Sequence, residues 1–170
     1  MYMTADRQWF VEIYERHYDA VLRYAWRRVG PDHAADIVAE TFAIAFRRLR
    51  DIPEDAPLPW LYRVARNLIS NMDRKIRRHG GAPGALNEDI HLVEPDHAET
   101  VSRRDAALAA LRDLSESERE LVRLIAWEGL ALAEVAAVLG CSTATARVRL
   151  HRARKRIEKL MDFKLEEMAS

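Results

Sequence analysis

Covalent and conformational stiffeners are scarce in this chain. Of its 170 residues one is a cysteine, Cys141, which excludes an intramolecular disulfide and any zinc site built from several cysteines. Glycine and proline number six each, too few for a turn-dominated or disordered chain. No apolar run is long enough to span a membrane, no secretory leader stands at its start, and no convincing apolar–polar alternation marks a strand. The expected molecule is a packed, all-α, cytoplasmic protein in reducing surroundings, with no membrane partner. Catalytic patterns are missing as well. The sequence holds no glycine-rich phosphate loop, no nucleophile elbow and no paired catalytic carboxylates, so no enzyme activity and no cofactor are expected. His17, His33, His79, His91, His97 and His151 share no metal-binding spacing, so no metal is expected.

An excess of one charge is missing too, since 27 Lys and Arg balance 27 Asp and Glu. The balance hides a segregation. Residues 1–78 hold 14 cations and 11 acids, residues 79–113 hold 3 and 7, and residues 114–170 hold 10 and 9. Segregated charge says more about partners than the sum does. Helical periodicity predicts three helices in the first segment. They run from about Trp9 to Val29, from His33 to Leu49, and from a first turn at Pro59 to Arg78. Asp51 to Pro59, with three prolines, reads as a loop. Residues 79–101 combine glycine, proline and acids and read as a flexible linker. Glu88, Asp89, Glu94, Asp96 and Glu99 within it could suggest a divalent-metal nuclease, but a floppy segment cannot hold metal geometry. A second helical domain over 102–170 includes a capping box, Ser115 with Glu118.

Two stretches carry functional information. In the first, a short helix at Leu132–Leu139 runs into Gly140, suited to the left-handed conformation that ends helices. Ser142 can cap a following helix, and Ala136 is small where two helices must cross. This is a helix-turn-helix, whose second helix usually enters the DNA major groove. Ala146, Leu150, Ala153 and Ile157 fall on its inward face. Its opposite face carries Ala144, Arg147, Val148, His151, Arg152 and Lys155, a mixture of forked donors, apolar groups and phosphate-seeking charge, and Ser142, Thr143 and Thr145 at its start are further candidate DNA contacts. Seven cations stand between Ser142 and Leu160 against one acid, Glu158. The second stretch is the third helix, where Trp60, Tyr62, Arg63, Arg66, Asn67, Arg74 and Arg77 interleave rings, an amide and cations. Rings stack on unpaired bases and cations track the backbone, so this surface suits single-stranded nucleic acid.

Together these stretches resemble the extracytoplasmic-function class of bacterial sigma-70 factors, over nearly the whole chain. The matching text is DHAADIVAETFAIAFR at 32–47, PWLYRVARNLISNMDRKIRR at 59–78, LSESERELVRL at 114–124 and RLHRARKR at 149–156. The resemblance implies a factor without a catalytic centre that binds core RNA polymerase, places it on a promoter and promotes strand opening. It implies sigma region 2 over 1–78, a linker that threads through the polymerase, and sigma region 4 over 102–170. Asp36, Glu40, Thr41 and Phe42 would grip the clamp helices of the β′ subunit, while the second domain would meet the flap of β. The loop 51–59 would capture an extruded base of the −10 element, with Trp60, Arg63, Asn67, Asp73, Arg74 and Arg77 handling the opened strand. Arg147, Val148, His151 and Arg152 would read the −35 element. Members of the class are often held by an anti-sigma protein. The chain departs from the family at Ala35 and Ala39, where an acid and a glutamine are common, and at Val148, which replaces a polar reader. Residues 114–160 alone also resemble the output domain of response-regulator activators, which would require an α/β receiver upstream.

Overall fold

A computed structural model describes residues 5–81 and 109–168, with side chains to Asp162. The chain divides into two compact units, Met1–His91 and Leu92–Ser170. All regular structure among the described residues is helical. None of these helices is long and apolar enough to cross a membrane. The α/β receiver of a response regulator is not found among the described residues, and most of the expected linker lies outside them.

Unit 1 packs α1 (Ala5–Val29), α2 (Pro31–Arg47) and α3 (Pro57–Arg78) against one another. Gly30, at φ 73°, makes the sharp break between α1 and α2, and Pro31 opens α2 in the first turn, where a missing N–H costs nothing. The same logic puts the start of α3 at Pro57, two residues before the expected Pro59. A short 3₁₀ turn, Leu49–Asp51, leads into the loop. The irregular stretch is therefore 52–56, shorter than the predicted 51–59, and buried Ile52 pins it. The core is rich in rings. Tyr24 of α1 stacks on Tyr62 of α3 with centroids 4.7 Å apart, and buried Phe42 of α2 meets the exposed Tyr14 ring edge-on at 4.8 Å. Such pairs add about 0.5–1.5 kcal/mol to their burial. Arg28 is buried yet satisfied in part: it donates to the Tyr24 carbonyl at 3.1 Å and lies 3.5 Å from that ring's centroid.

Unit 2 packs α4 (Glu116–Ala126), α5 (Leu132–Leu139) and α6 (Thr143–Met168). Before α4 a helical stretch at 109–112 ends beneath the Arg119 guanidinium, which donates to the carbonyls of Leu111, Arg112 and Leu114. The Leu111 and Arg112 carbonyls are among the orphans a helix end leaves. Leu121, Leu124, Val135 and Val138 form the apolar centre. Ala136, Ala146 and Ala153 are almost wholly buried, small side chains that let the helices of unit 2 approach closely.

Candidate nucleic-acid and polymerase interfaces

The turn between α5 and α6 is built as its sequence requires. Gly140 takes φ 67°, the left-handed region. The Cys141 N–H then reaches the Ala136 carbonyl at 3.0 Å and the Gly140 N–H the Ala137 carbonyl at 3.4 Å, the Schellman closure of a helix end. Ser142 Oγ accepts the Thr145 N–H at 3.1 Å and lies 2.9 Å from Thr145 Oγ1. The cap fixes where α6 starts, and the burial of Ala146 and Ala153 fixes its rotation. The opposite face is thereby presented to solvent. Ser142, Thr143, Thr145, Arg147, Val148, His151, Arg152 and Lys155 are all exposed, and Val148, at 50% exposure, is a large apolar group in open solvent. A cationic, partly apolar helix face has the composition that base edges and phosphates select.

A side chain that sequence reasoning used only as a cap also touches α6. Glu118 Oε2 accepts from the Ser115 N–H at 3.0 Å, from Ser115 Oγ at 2.7 Å and from Arg156 Nη1 at 2.8 Å. The Ser115 hydroxyl, with smaller help from the Ser115 N–H, Arg156 and Arg152, holds the Glu118 carboxyl below its usual pKa of 4.5, against the opposing effect of burial. Spacing alone finds the capping box; the bond to Arg156, 38 residues away, has no local signal.

In unit 1 the expected site residues divide. Asp36 and Glu40 are exposed on the outer face of α2, beside Ala35 and Ala39. Thr41 and Phe42 are not on that surface. Thr41 is fully buried and donates to the Ile37 carbonyl at 2.7 Å, and Phe42 is 4% exposed among the tyrosines of α1. Their side chains belong to the core because α2 has neighbours on two sides, which widens its inward face beyond a single stripe. Tyr62 is corrected likewise: it is 2% exposed, with its ring spent on Tyr24, and offers no face to a base.

Trp60 is half-buried, and Arg63, Asn67 and Arg74 are exposed. At 3.6 residues per turn these four lie along one stripe of α3, to which Asn71 also belongs; Asn71 accepts from Arg74 at 2.5 Å. Asp73 and Arg77 are paired to each other one turn apart on the adjacent face. The structure then joins two sets that sequence reasoning kept separate. Asp36 and Glu40 from α2 and Asn71, Arg74, Lys75 and Arg77 from α3 line one groove of about 1060 Å³, with an acidic wall facing a basic one. Loop residues 52–56 lead into the Trp60 end of α3.

Comparison with known proteins agrees with this anatomy. Residues 13–79 match the family model of sigma-70 region 2, and residues 104–157 that of sigma-70 region 4. The ECF RNA polymerase sigma factor SigE of Mycolicibacterium smegmatis is 36% identical over 154 residues, covering 86% of this chain and 59% of SigE, so the chain spans less than two thirds of that relative. The RNA polymerase sigma-H factor of Pseudomonas aeruginosa is 32% identical over 167 residues, 86% of each chain. Among solved structures, the sigma factor RpoE in complex with the anti-sigma factor NepR from Bartonella quintana superimposes with a TM-score of 0.65 at 25% identity, over 90% of this chain and 96% of that one.

Proposed function

We propose that this chain, which belongs to the extracytoplasmic-function class of the sigma-70 family, directs core RNA polymerase to promoters from the cytoplasm and helps to open them. The observation that carries the DNA reading is α6. Its burial fixes one face inward, its cap fixes its start, and its outer face is exposed and cationic. In this reading Arg147, Val148, His151 and Arg152 face base edges of the −35 element, while Lys155 and the hydroxyls of Ser142, Thr143 and Thr145 face backbone and bases beside them. Unit 1 works on the −10 element after its duplex separates. Trp60 supplies the stacking face, Arg63 and Asn67 supply donors to unpaired base edges, and Arg74 and Arg77 hold phosphate charge beside Asp73. Asp36 and Glu40 provide an acidic surface for the clamp helices of β′, and unit 2 meets the flap of β. The RpoE relative is held by an anti-sigma factor, and an inhibitor of that kind is a further partner for this chain.

The test is promoter selection by reconstituted polymerase. Arg147→Ala and Arg152→Ala are each expected to relax preference at one base position by about 1–3 kcal/mol. Lys155→Ala is expected to weaken binding to all sequences and to reduce the salt slope by about 0.9. Equal losses on every sequence from all three would refute base reading by α6.

A further inference from the structure

The geometry points to Glu118 as a positioning residue that decides which cations of α6 reach DNA: it holds Arg156 against α4 and leaves Arg147, Arg152 and Lys155 free to engage. This inference rests on the reading of α6 as the DNA-contacting helix and adds a specificity-determining residue to it.

The pair Arg156–Glu118 differs from a fully exposed ion pair and joins two helices through residues 38 apart in sequence. Arg47–Glu40 joins side chains 60% and 52% exposed, and both ends can exchange freely with water. In Arg156–Glu118 the cation is 56% exposed, but the carboxylate is 8% exposed and tied down by Ser115. Glu118 therefore cannot follow a departing arginine into solvent, and losing that partner would leave a buried charge undercompensated. Arg156 is tethered to a fixed point on α4. It stands one turn beyond Arg152 on the same flank of α6. Released, its long side chain could swing to the side where Arg152 and Lys155 stand and take a phosphate.

Such a contact would not help recognition. A phosphate contact strengthens binding to all DNA alike, whereas discrimination comes from base edges. What matters for a promoter factor is the ratio between its element and the many competing sites. Withholding one of seven cations lowers non-specific affinity and leaves the base-reading side chains as they are. The Arg152 charge gives only the smallest help in keeping the Glu118 carboxyl ionised.

The experiment uses the full chain assembled with core polymerase. Binding is measured against salt on a promoter fragment and on the same fragment with its upstream element scrambled. Glu118→Gln keeps a residue that completes a capping box. It is expected to steepen the plot of log affinity against log salt by about 0.9 on both fragments, one added phosphate contact, and to lower the promoter-to-scrambled ratio. Arg156→Ala in the parent is expected to leave the slope unchanged, and Glu118→Gln with Arg156→Ala to return it to the parent value. A carboxylate that served folding alone would lower affinity without steepening the slope, and removing Arg156 would not correct it. An unchanged slope for a folded Glu118→Gln overturns the inference. So does a slope flattened by about 0.9 in Arg156→Ala. Arg147→Ala separates the two levels. If it alters no base preference, the reading of α6 fails and takes this inference with it; if it does while Glu118→Gln changes nothing, the inference fails alone.

Discussion

Unit 1 and unit 2 are both small helical assemblies, but they divide their residues between core and surface by opposite means. In both units each helix packs on the two others, but unit 1 fills its core with rings. Unit 2 buries the small Ala136, Ala146 and Ala153 on α5 and α6, and its buried polar side chains, Glu118, Glu120 and Arg123, lie on α4. A helix that buries large rings needs a wide inward face, so a ring beside cations can belong to either side of the boundary. Trp60 and Tyr62 stand two residues apart in one cationic helix, yet one is half-exposed and the other is sealed on Tyr24. On α6 the fully buried positions among the described side chains are the small Ala146 and Ala153, and every candidate reader is exposed.

Substitution at that pair of rings tests the comparison hardest. Tyr62→Ala is expected to destabilise unit 1 by about 3–5 kcal/mol, the range for deleting a buried aromatic, as measured by denaturant unfolding. Trp60→Ala is expected to cost clearly less in stability and to act chiefly on promoter opening. A Tyr62→Ala protein as stable as its parent but defective in opening would reverse the assignment of the two rings.

The next largest effect is expected at the acidic face of α2. Asp36→Arg with Glu40→Arg replaces exposed acids, so stability should move by no more than about 0.5 kcal/mol. Loss of the exposed Glu40–Arg47 pair adds little to that. Affinity for core polymerase should fall by about 30-fold or more, as for an interface hot spot, read by co-purification and titration. Phe42→Ala should do the reverse, lowering stability through loss of a ring that is 4% exposed. Undiminished polymerase binding by the double variant removes α2 from that interface.

A smaller effect is expected for strand handling. Arg63→Ala with Asn67→Ala should leave polymerase binding and upstream preference intact while weakening the hold on unpaired bases by about 1–3 kcal/mol per base. Permanganate reactivity of promoter thymines should drop, and a pre-melted bubble template should restore transcription. A bubble that gives no rescue would show that this stripe does not hold the opened strand.

The difference between the units also explains what the sequence made legible. The ends of α5 and the start of α6 follow from Gly140, Ser142 and the alanine spacing, all local signals, and the fold confirms them residue by residue. The helices of unit 1 were legible as elements. Their ends shifted by a few residues where Pro31 and Pro57, tolerated in a first turn, extended α2 and α3 forward. The fate of Thr41, Phe42 and Tyr62 was not legible, because a 3.6-residue pattern gives a helix's phase but not how many neighbours surround it. The shared groove of Asp36, Glu40, Arg74 and Arg77 was hidden for the same reason, since it depends on how α2 meets α3. The link from Glu118 to Arg156 lies beyond any local rule.

The smallest expected effect is acid sensitivity, and it should separate the units along the pH scale. In unit 1, half-buried His17 has its pKa lowered from 6.5, first by burial and then by the charge of Arg16. A base with a depressed folded pKa binds its proton more readily when unfolded. Unit 1 should therefore lose stability as pH falls through 6.5, and the loss should level off once pH is below the folded value. In unit 2, Glu118 is an acid whose pKa is lowered from 4.5, first by the Ser115 hydroxyl. Its contribution is fully present above 4.5 and fades as pH falls from there through the folded value. Amide hydrogen exchange in the full chain, followed down the pH scale, should show protection weakening in unit 1 before unit 2. His17→Gln should flatten the first loss and Glu118→Gln the second, each without touching the other. Protection lost first in unit 2, or a loss in unit 1 that His17→Gln leaves in place, would mean that these two side chains do not govern the acid response of their units.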